Sequence, residues 1–275
     1  RPKAGTLSVN SKKSMTAFKT YKFPRTRIAT MDVCTIGKQK HHVSALLELD
    51  VTRGREKLKS CRKDSTHVSF TAWLIKVISL TVKEHENVAA YLAGKRKLMI
   101  FEDVDVSFIV EKELNGQKVP IPLMIEKANE RSLTSITAQI REAKQKELDA
   151  GEIVLQKKTE RAGRLYYLLP GFLRRLFWRY LLQHPRLAYS KMGNVAITSV
   201  GAIGKVNAWF IPVSLHPLCF GISTVLKKPV VVDDKIEIRE MLNLTVLIDH
   251  DVIDGASMAR FIRALALHIE NGDGF

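Results

Sequence analysis

The run His250-Asp251-Val252-Ile253-Asp254-Gly255 holds the residues whose types and spacing best suit chemistry in this chain. An imidazole titrates near neutral pH, so His250 can take a proton from a weak acid and give it back, which is the work of a general base. It follows the apolar run Leu242–Ile248 and precedes a helical pattern, which places it at a strand-to-helix junction on the edge of a sheet. Asp254 can hold the turn through a charge-assisted hydrogen bond. Gly255 permits a backbone conformation or close packing that a side chain would forbid. Taken alone, the string serves equally well as a structural histidine beside a helix start.

The elements that must position this junction read as a layered α/β domain with a mostly buried sheet. HVSALLELD, from His42 to Asp50, is strand-like, and Thr52 can cap a basic helix running to about Arg62. Phe70–Glu86 places Leu74, Val77, Ile78 and Val82 on one helical face. Leu98–Val110 alternates through Val104, Val106, Phe108 and Val110, and Asn115-Gly116 suits a tight turn before Lys118–Ile125 returns. Ser132 opens a helix with Leu133, Ile136 and Ile140 inward, to about Leu148. The last third reads as strands at Asn194–Val200, Pro217–Val225 and Leu242–Ile248, with a short hairpin around Asp233-Asp234. A final helix from Gly255 to about Glu270 turns Met258, Phe261, Ile262, Leu265 and Ile269 to one side.

Two segments depart from this order. Residues 1–27 carry eight basic and no acidic residues, as an extended or wrapping arm would; the domain itself is placed at 25–275, after an arm of 1–24. Arg164–Ser190 combines five arginines with aromatic and leucine residues, and Pro170 and Pro185 bracket its helical centre. This basic amphipathic character allows docking on an anionic membrane surface, and equally a helix packed on the body or on a sister subunit with its arginines facing water.

The chain has 275 residues, 45% of them hydrophobic, and a formal charge of +16. That length suits one large α/β domain. The charge points to an acidic partner: a phosphorylated cofactor such as coenzyme A, anionic lipid, or nucleic acid, although no nucleic-acid motif is present. No apolar run approaches the roughly 20 residues of a membrane span. No signal-peptide pattern opens the chain, and Arg1 suggests a start inside a longer gene product. Cys34, Cys61 and Cys219 are too few and too scattered for a disulfide framework or zinc cluster, so a reducing, cytoplasmic setting is expected. His41 and His42 lack neighbours that would make a metal site and mark the start of a strand.

The stretch LTVLIDHDVIDGASMARFIRALALHIE resembles the C-terminal signature of the catalytic domain of 2-oxo acid dehydrogenase acyltransferases, whose fold is that of chloramphenicol acetyltransferase. RTRIA with HVSALLELDVT, then VPIPLMIEKANERSLTSITAQI, then VAITSVGAIG fall in the family's order, so the resemblance covers about residues 25–270. It implies an α/β fold of α+β type, a mixed-sheet sandwich with flanking helices, and a homotrimer or larger assembly of trimers with active sites between subunits.

The resemblance further implies transfer of an acyl group between coenzyme A and a thiol or other small acceptor. His250 would accept the thiol proton. Thr198, with Ser199 as the neighbouring alternative, would donate to the tetrahedral oxyanion, and Asp254 would pair with Arg27 or Arg25. Both hydroxyls can also be read as locally bonded strand residues, and both arginines as members of the basic arm.

Three departures bear on the reading. Asp251 stands where the family has arginine, the 164–190 segment is longer and more basic than usual, and the chain carries neither a lipoyl nor a subunit-binding domain. A lipoyl group as acyl carrier is therefore left open, with a separate lipoyl-domain or dehydrogenase protein as a partner that would supply it. The alternative to an enzyme is an assembly module that keeps the fold after its chemistry has lapsed.

Overall fold

A computed structural model describes residues 19–20, 23, 27–63, 67–94, 96–114, 117–145, 166–201, 204 and 206–275. Its centre is a six-stranded mixed sheet in the order β1-β8-β7-β6-β4-β5. The strands are β1 (His42–Asp50), β4 (Val106–Leu114), β5 (Gln117–Ile125), β6 (Val195–Ser199), β7 (Leu218–Val232) and β8 (Lys235–Asp249). β6 runs parallel to both β4 and β7, and the other pairs are antiparallel. A separate two-stranded sheet joins β2 (Tyr91–Ala93) to β3 (Lys97–Met99). Leu98 therefore does not begin the strand that carries Val106, Phe108 and Val110, although all three of those, with Val104, are buried as their alternation requires.

The helices α3 (Phe70–Glu84), α4 (Leu133–Gln145) and α7 (Gly255–Asn271) supply the second layer. Ser69 caps α3 by accepting from the Ala72 N–H, and Trp73, Leu74, Ile75, Val77, Ile78 and Val82 are all buried along it. A helix so apolar around most of its circumference has to lie between other elements. It packs with α7, whose Met258, Phe261, Leu265 and Ile269 face inward. α2 (Thr52–Lys63) differs from expectation in its cap. Asp50 accepts the Thr52 N–H, while the Thr52 hydroxyl accepts from the Glu240 N–H and ties the helix start to β8.

β7 and β8 form one long hairpin rather than separate short pieces, because Asp233 and Asp234 both adopt positive φ (47° and 61°), the geometry of a turn that lets two strands continue through it. The turn expected at Asn115-Gly116 lies outside the described residues, as does the continuation of α4 to Leu148.

α1 (Arg27–Gly37) is an element that the sequence pattern did not disclose. Against it packs α5 (Gly171–Gln183), followed directly by α6 (Pro185–Met192). Asp32 of α1 is buried and accepts from Arg174 Nε at 2.6 Å and from the Tyr166 hydroxyl at 2.9 Å, while Trp178 Nε1 donates to that same hydroxyl. Arg174 is thus turned inward, whereas Arg175, Arg179 and Arg186 face out, as a helix packed on the body requires. Gly193 ends α6 with φ 70°, and a Cβ there would come within 2.3 Å of the Asp105 carbonyl oxygen, so glycine is needed where the chain turns into β6.

Candidate active site

The site begins where β1 starts and β8 ends. His42 is paired with Asp249 in the register, and the His250 N–H donates to the His41 carbonyl, so the backbone of β1 fixes the height at which His250 leaves the sheet. Asp249 is fully buried, and Lys40 Nζ reaches it at 2.5 Å. This pair, on the residue just before His250, anchors the junction. The His250 side chain itself is exposed and has no hydrogen-bond partner among the described residues.

Neighbouring side chains are committed elsewhere. Asp251 turns its carboxylate to His41 Nδ1 at 2.9 Å, and that contact raises the His41 pKa. His42 Nε2 donates to the His216 carbonyl, and burial pulls the His42 pKa down. His216 Nε2 donates to the Met192 carbonyl at 2.7 Å, and Ser214 Oγ lies 3.2 Å from its Nδ1, an arrangement for a neutral ring; burial pushes its pKa down to about 4. His41 and His42 mark the strand start as expected, and among the described residues no group of three or more His, Cys, Asp or Glu side chains is arranged to hold a metal.

Thr198 and Ser199 end β6, half-buried, and neither hydroxyl has a hydrogen-bond partner among the described residues. The reading of them as locally bonded strand hydroxyls is not what the chain adopts. Alternation separates the two. Val195 and Ile197 point into the main core, so Ser199 leans to that side, while Thr198 shares the opposite face with Ala196, Cys219 and Leu247. In the register Thr198 is level with Gly221 and Thr245.

A segment that sequence patterning left unassigned covers part of this face. Asn207 Oδ1 accepts from Asn243 Nδ2, Trp209 Nε1 donates to the Leu47 carbonyl, and the Phe210 carbonyl oxygen lies where a Cβ on Gly221 would meet it at 2.6 Å. Only glycine allows that approach. Beneath and beside it, the buried polar atoms Ser223 Oγ, Asn243 Oδ1 and Thr245 Oγ1 have no hydrogen-bond partner among the described residues.

Within one chain, Thr198 and His250 do not meet. Five residue steps along β8 at about 3.3 Å, and two strand spacings of about 4.8 Å, put them about 19 Å apart. Asp254 does hold the turn: it is the N-cap of α7 and accepts from the Ser257 N–H at 2.8 Å, which lowers its pKa. It does not pair with Arg27, which stands exposed at the first turn of α1; Arg25 is outside the described residues. Gly255 also departs from expectation. It has no positive φ, and a Cβ on it would find nothing within 4 Å, because α7 starts into open space.

A mixed sheet covered by helices thus carries a histidine at the end of one strand of its long hairpin and two hydroxyls at the end of that strand's second neighbour. The chain belongs to the family described as 2-oxoacid dehydrogenases acyltransferase (catalytic domain), which it matches over residues 17–153 and 185–274. It is 24% identical over 238 residues to the lipoamide acyltransferase component of the branched-chain alpha-keto acid dehydrogenase complex of Bacillus subtilis, an alignment covering 84% of this chain and 47% of that one. The chain thus spans about half the length of that curated relative. Its fold is that of the dihydrolipoamide acetyltransferase of Azotobacter vinelandii, with a TM-score of 0.67 and 18% identity over 98% of this chain and 97% of that one. A truncated catalytic core of the 2-oxoacid dehydrogenase multienzyme complex from Thermoplasma acidophilum gives 0.64 and 21% over 93% and 100%.

Proposed function

We propose that the chain catalyses coenzyme A-dependent acyl transfer to or from a thiol or other small acceptor, at a site shared between copies of itself, with His250 as the general base. The observation that carries this reading is the His250 imidazole: exposed, without a hydrogen-bond partner among the described residues, and set on a junction fixed by the Lys40–Asp249 pair. Family membership supplies the reaction class.

The incoming thiol has an ordinary pKa near 8.5 and is mostly protonated at neutral pH. His250 takes its proton as the sulfur attacks the thioester carbonyl, and the developing oxyanion accepts a hydrogen bond from the Thr198 hydroxyl of a neighbouring copy. Collapse of the tetrahedral intermediate breaks the original C–S bond, and the imidazolium returns its proton to the leaving thiolate. Asp254 holds the turn that carries His250 by capping α7. The orphaned Thr245, Ser223 and Asn243 groups offer hydrogen bonds to a polar substrate arm on the face that Thr198 shares.

A homotrimer, alone or within a larger assembly, is the arrangement this reading needs, since one chain holds His250 and Thr198 too far apart. Apolar surface is available for it: Val231, Ile236 and Ile238 are exposed at the tip of the β7–β8 hairpin, and Phe210 and Ile211 on the segment over Gly221. A lipoyl group on a separate domain is the acceptor suggested by the name of the Bacillus subtilis relative, with a dehydrogenase as its source of acyl groups. A reducing, cytoplasmic setting fits three free cysteines, of which buried Cys219 has its thiol pushed up to about 12.

The test is transfer from acetyl-coenzyme A to dihydrolipoamide by the purified chain. His250→Ala is expected to lower the rate by about 10²–10⁴-fold. An unchanged rate would remove His250 from the chemistry. Calorimetry with acetyl-coenzyme A separates this reading from a lapsed assembly module, which would show no saturable binding.

A further inference from the structure

The match to the family breaks between residues 153 and 185, where this chain inserts α5. The network of Asp32, Arg174, Tyr166 and Trp178 fixes which way that helix faces, and Leu181, Ala188 and Met192 continue the buried side into α6. What remains outside is unusual for a protein surface. Phe172, Leu176 and Tyr180 form one row at four-residue spacing, Leu173 and Phe177 lie beside them, and all five are exposed, Phe172 at 63% and Leu176 at 59%. Leu168 just before the helix is 74% exposed, and Leu187 on α6 extends the patch.

On the other flank of the row stand Arg175 and Arg179, with Arg186 on α6, all facing water. From Tyr166 to Met192 there is no acidic residue, so no carboxylate of α5 or α6 neutralises them. An apolar arc bordered by arginines, on a helix too short and too charged to cross a bilayer, has the form of an element that lies in the plane of a lipid–water interface. We propose that this face of α5 docks the enzyme on an anionic membrane surface, with the Phe172–Leu176–Tyr180 row entering the headgroup boundary and the three arginines on lipid phosphates.

The choice of lipid over protein rests on charge complementarity and on composition. The outward side of the helix offers leucine, aromatic and arginine side chains, with Gln183 the uncharged polar residue among them, and so has little with which to specify a polar protein interface.

The full chain, floated with vesicles of phosphatidylcholine containing about one-third phosphatidylglycerol, is expected to bind, and to bind less as salt rises. Vesicles of phosphatidylcholine alone are expected to leave it in the lower fraction. Arg175→Gln/Arg179→Gln/Arg186→Gln should lower the partition constant about a hundredfold, at roughly 1 kcal/mol per basic residue near an anionic surface. Phe172→Ser/Leu176→Ser should lower it by about tenfold or more. Because these side chains are exposed, both variants should keep the circular dichroism spectrum and elution volume of the parent. Absence of binding to anionic vesicles, or binding unchanged in the Phe172/Leu176 pair because the basic arm carries it, would overturn the proposal. So would a change of oligomeric state in that pair, which would make the face an interface between copies.

Discussion

Lys40 Nζ lies 2.5 Å from Asp249 Oδ2, an ion pair closed over 209 residues of chain, with the carboxylate wholly buried one position before His250. The loop before β1 thereby sets the end of β8. Removing one partner would leave the other buried and uncompensated, which commonly costs about 3–5 kcal/mol. Lys40→Met should therefore lower the urea midpoint markedly and reduce acyl transfer in the molecules that stay folded. Lys40→Met/Asp249→Leu should recover much of the stability and little of the activity, because an apolar pair packs but no longer fixes the turn electrostatically. A single variant with unchanged midpoint would contradict the role assigned to the pair.

Stability should fall on mild acidification. His216 is held neutral, with a pKa of about 4 against about 6.5 in an unfolded chain, so between those values the unfolded state binds the extra proton and stability rises with pH. The contribution is fully present above about pH 6.5 and lost toward pH 4, amounting to at most about 3 kcal/mol. His42, also lowered, adds in the same direction. His41, raised by Asp251, acts oppositely: its contribution is lost as pH rises, and its exposure keeps it small. Urea midpoints at pH 7 and pH 4.5 should differ, and His216→Gln should narrow the difference. An equal difference in the variant would show that other groups govern it.

The insertion should depend on its own buried pair. Asp32→Ala leaves the Arg174 guanidinium and Tyr166 hydroxyl without their acceptor, so α5 should open locally while the sheet persists. Limited proteolysis should then cut within residues 166–184 several-fold faster, with little change in β-sheet circular dichroism. Protection equal to that of the parent would mean that apolar contacts alone hold the helix.

Much of this architecture is legible in the residues themselves. β1 and α7 appear in the pattern because each turns one periodic face toward the core, α3 because it is apolar around most of its circumference, and Asp254 announces the start of α7 as a cap. α1 stays hidden because its burial centres on Asp32, whose partners lie over a hundred residues away. β8 looks shorter than it is because in Lys235–Glu240 only Ile236 and Ile238 alternate with charged residues, and that arm of the hairpin is exposed rather than packed on the core. His250 can be picked out from its motif, whereas the sheet face that Thr198 and Ser199 each share is visible only in the register. The Lys40–Asp249 pair and the crossing of Phe210 over Gly221 are products of tertiary structure and leave no local trace.

In the proposed mechanism, His250 of one copy works with Thr198 of another. His250→Ala and Thr198→Val proteins are each expected to be nearly inactive, the second by the roughly 2.7–4 kcal/mol that one oxyanion donor supplies. Dissociated, mixed in equal amounts and reassembled, they should regain about a quarter of the parental acetyl transfer, because every mixed trimer contains one interface with both residues intact. A mixture no more active than the average of its two parts would contradict the shared site.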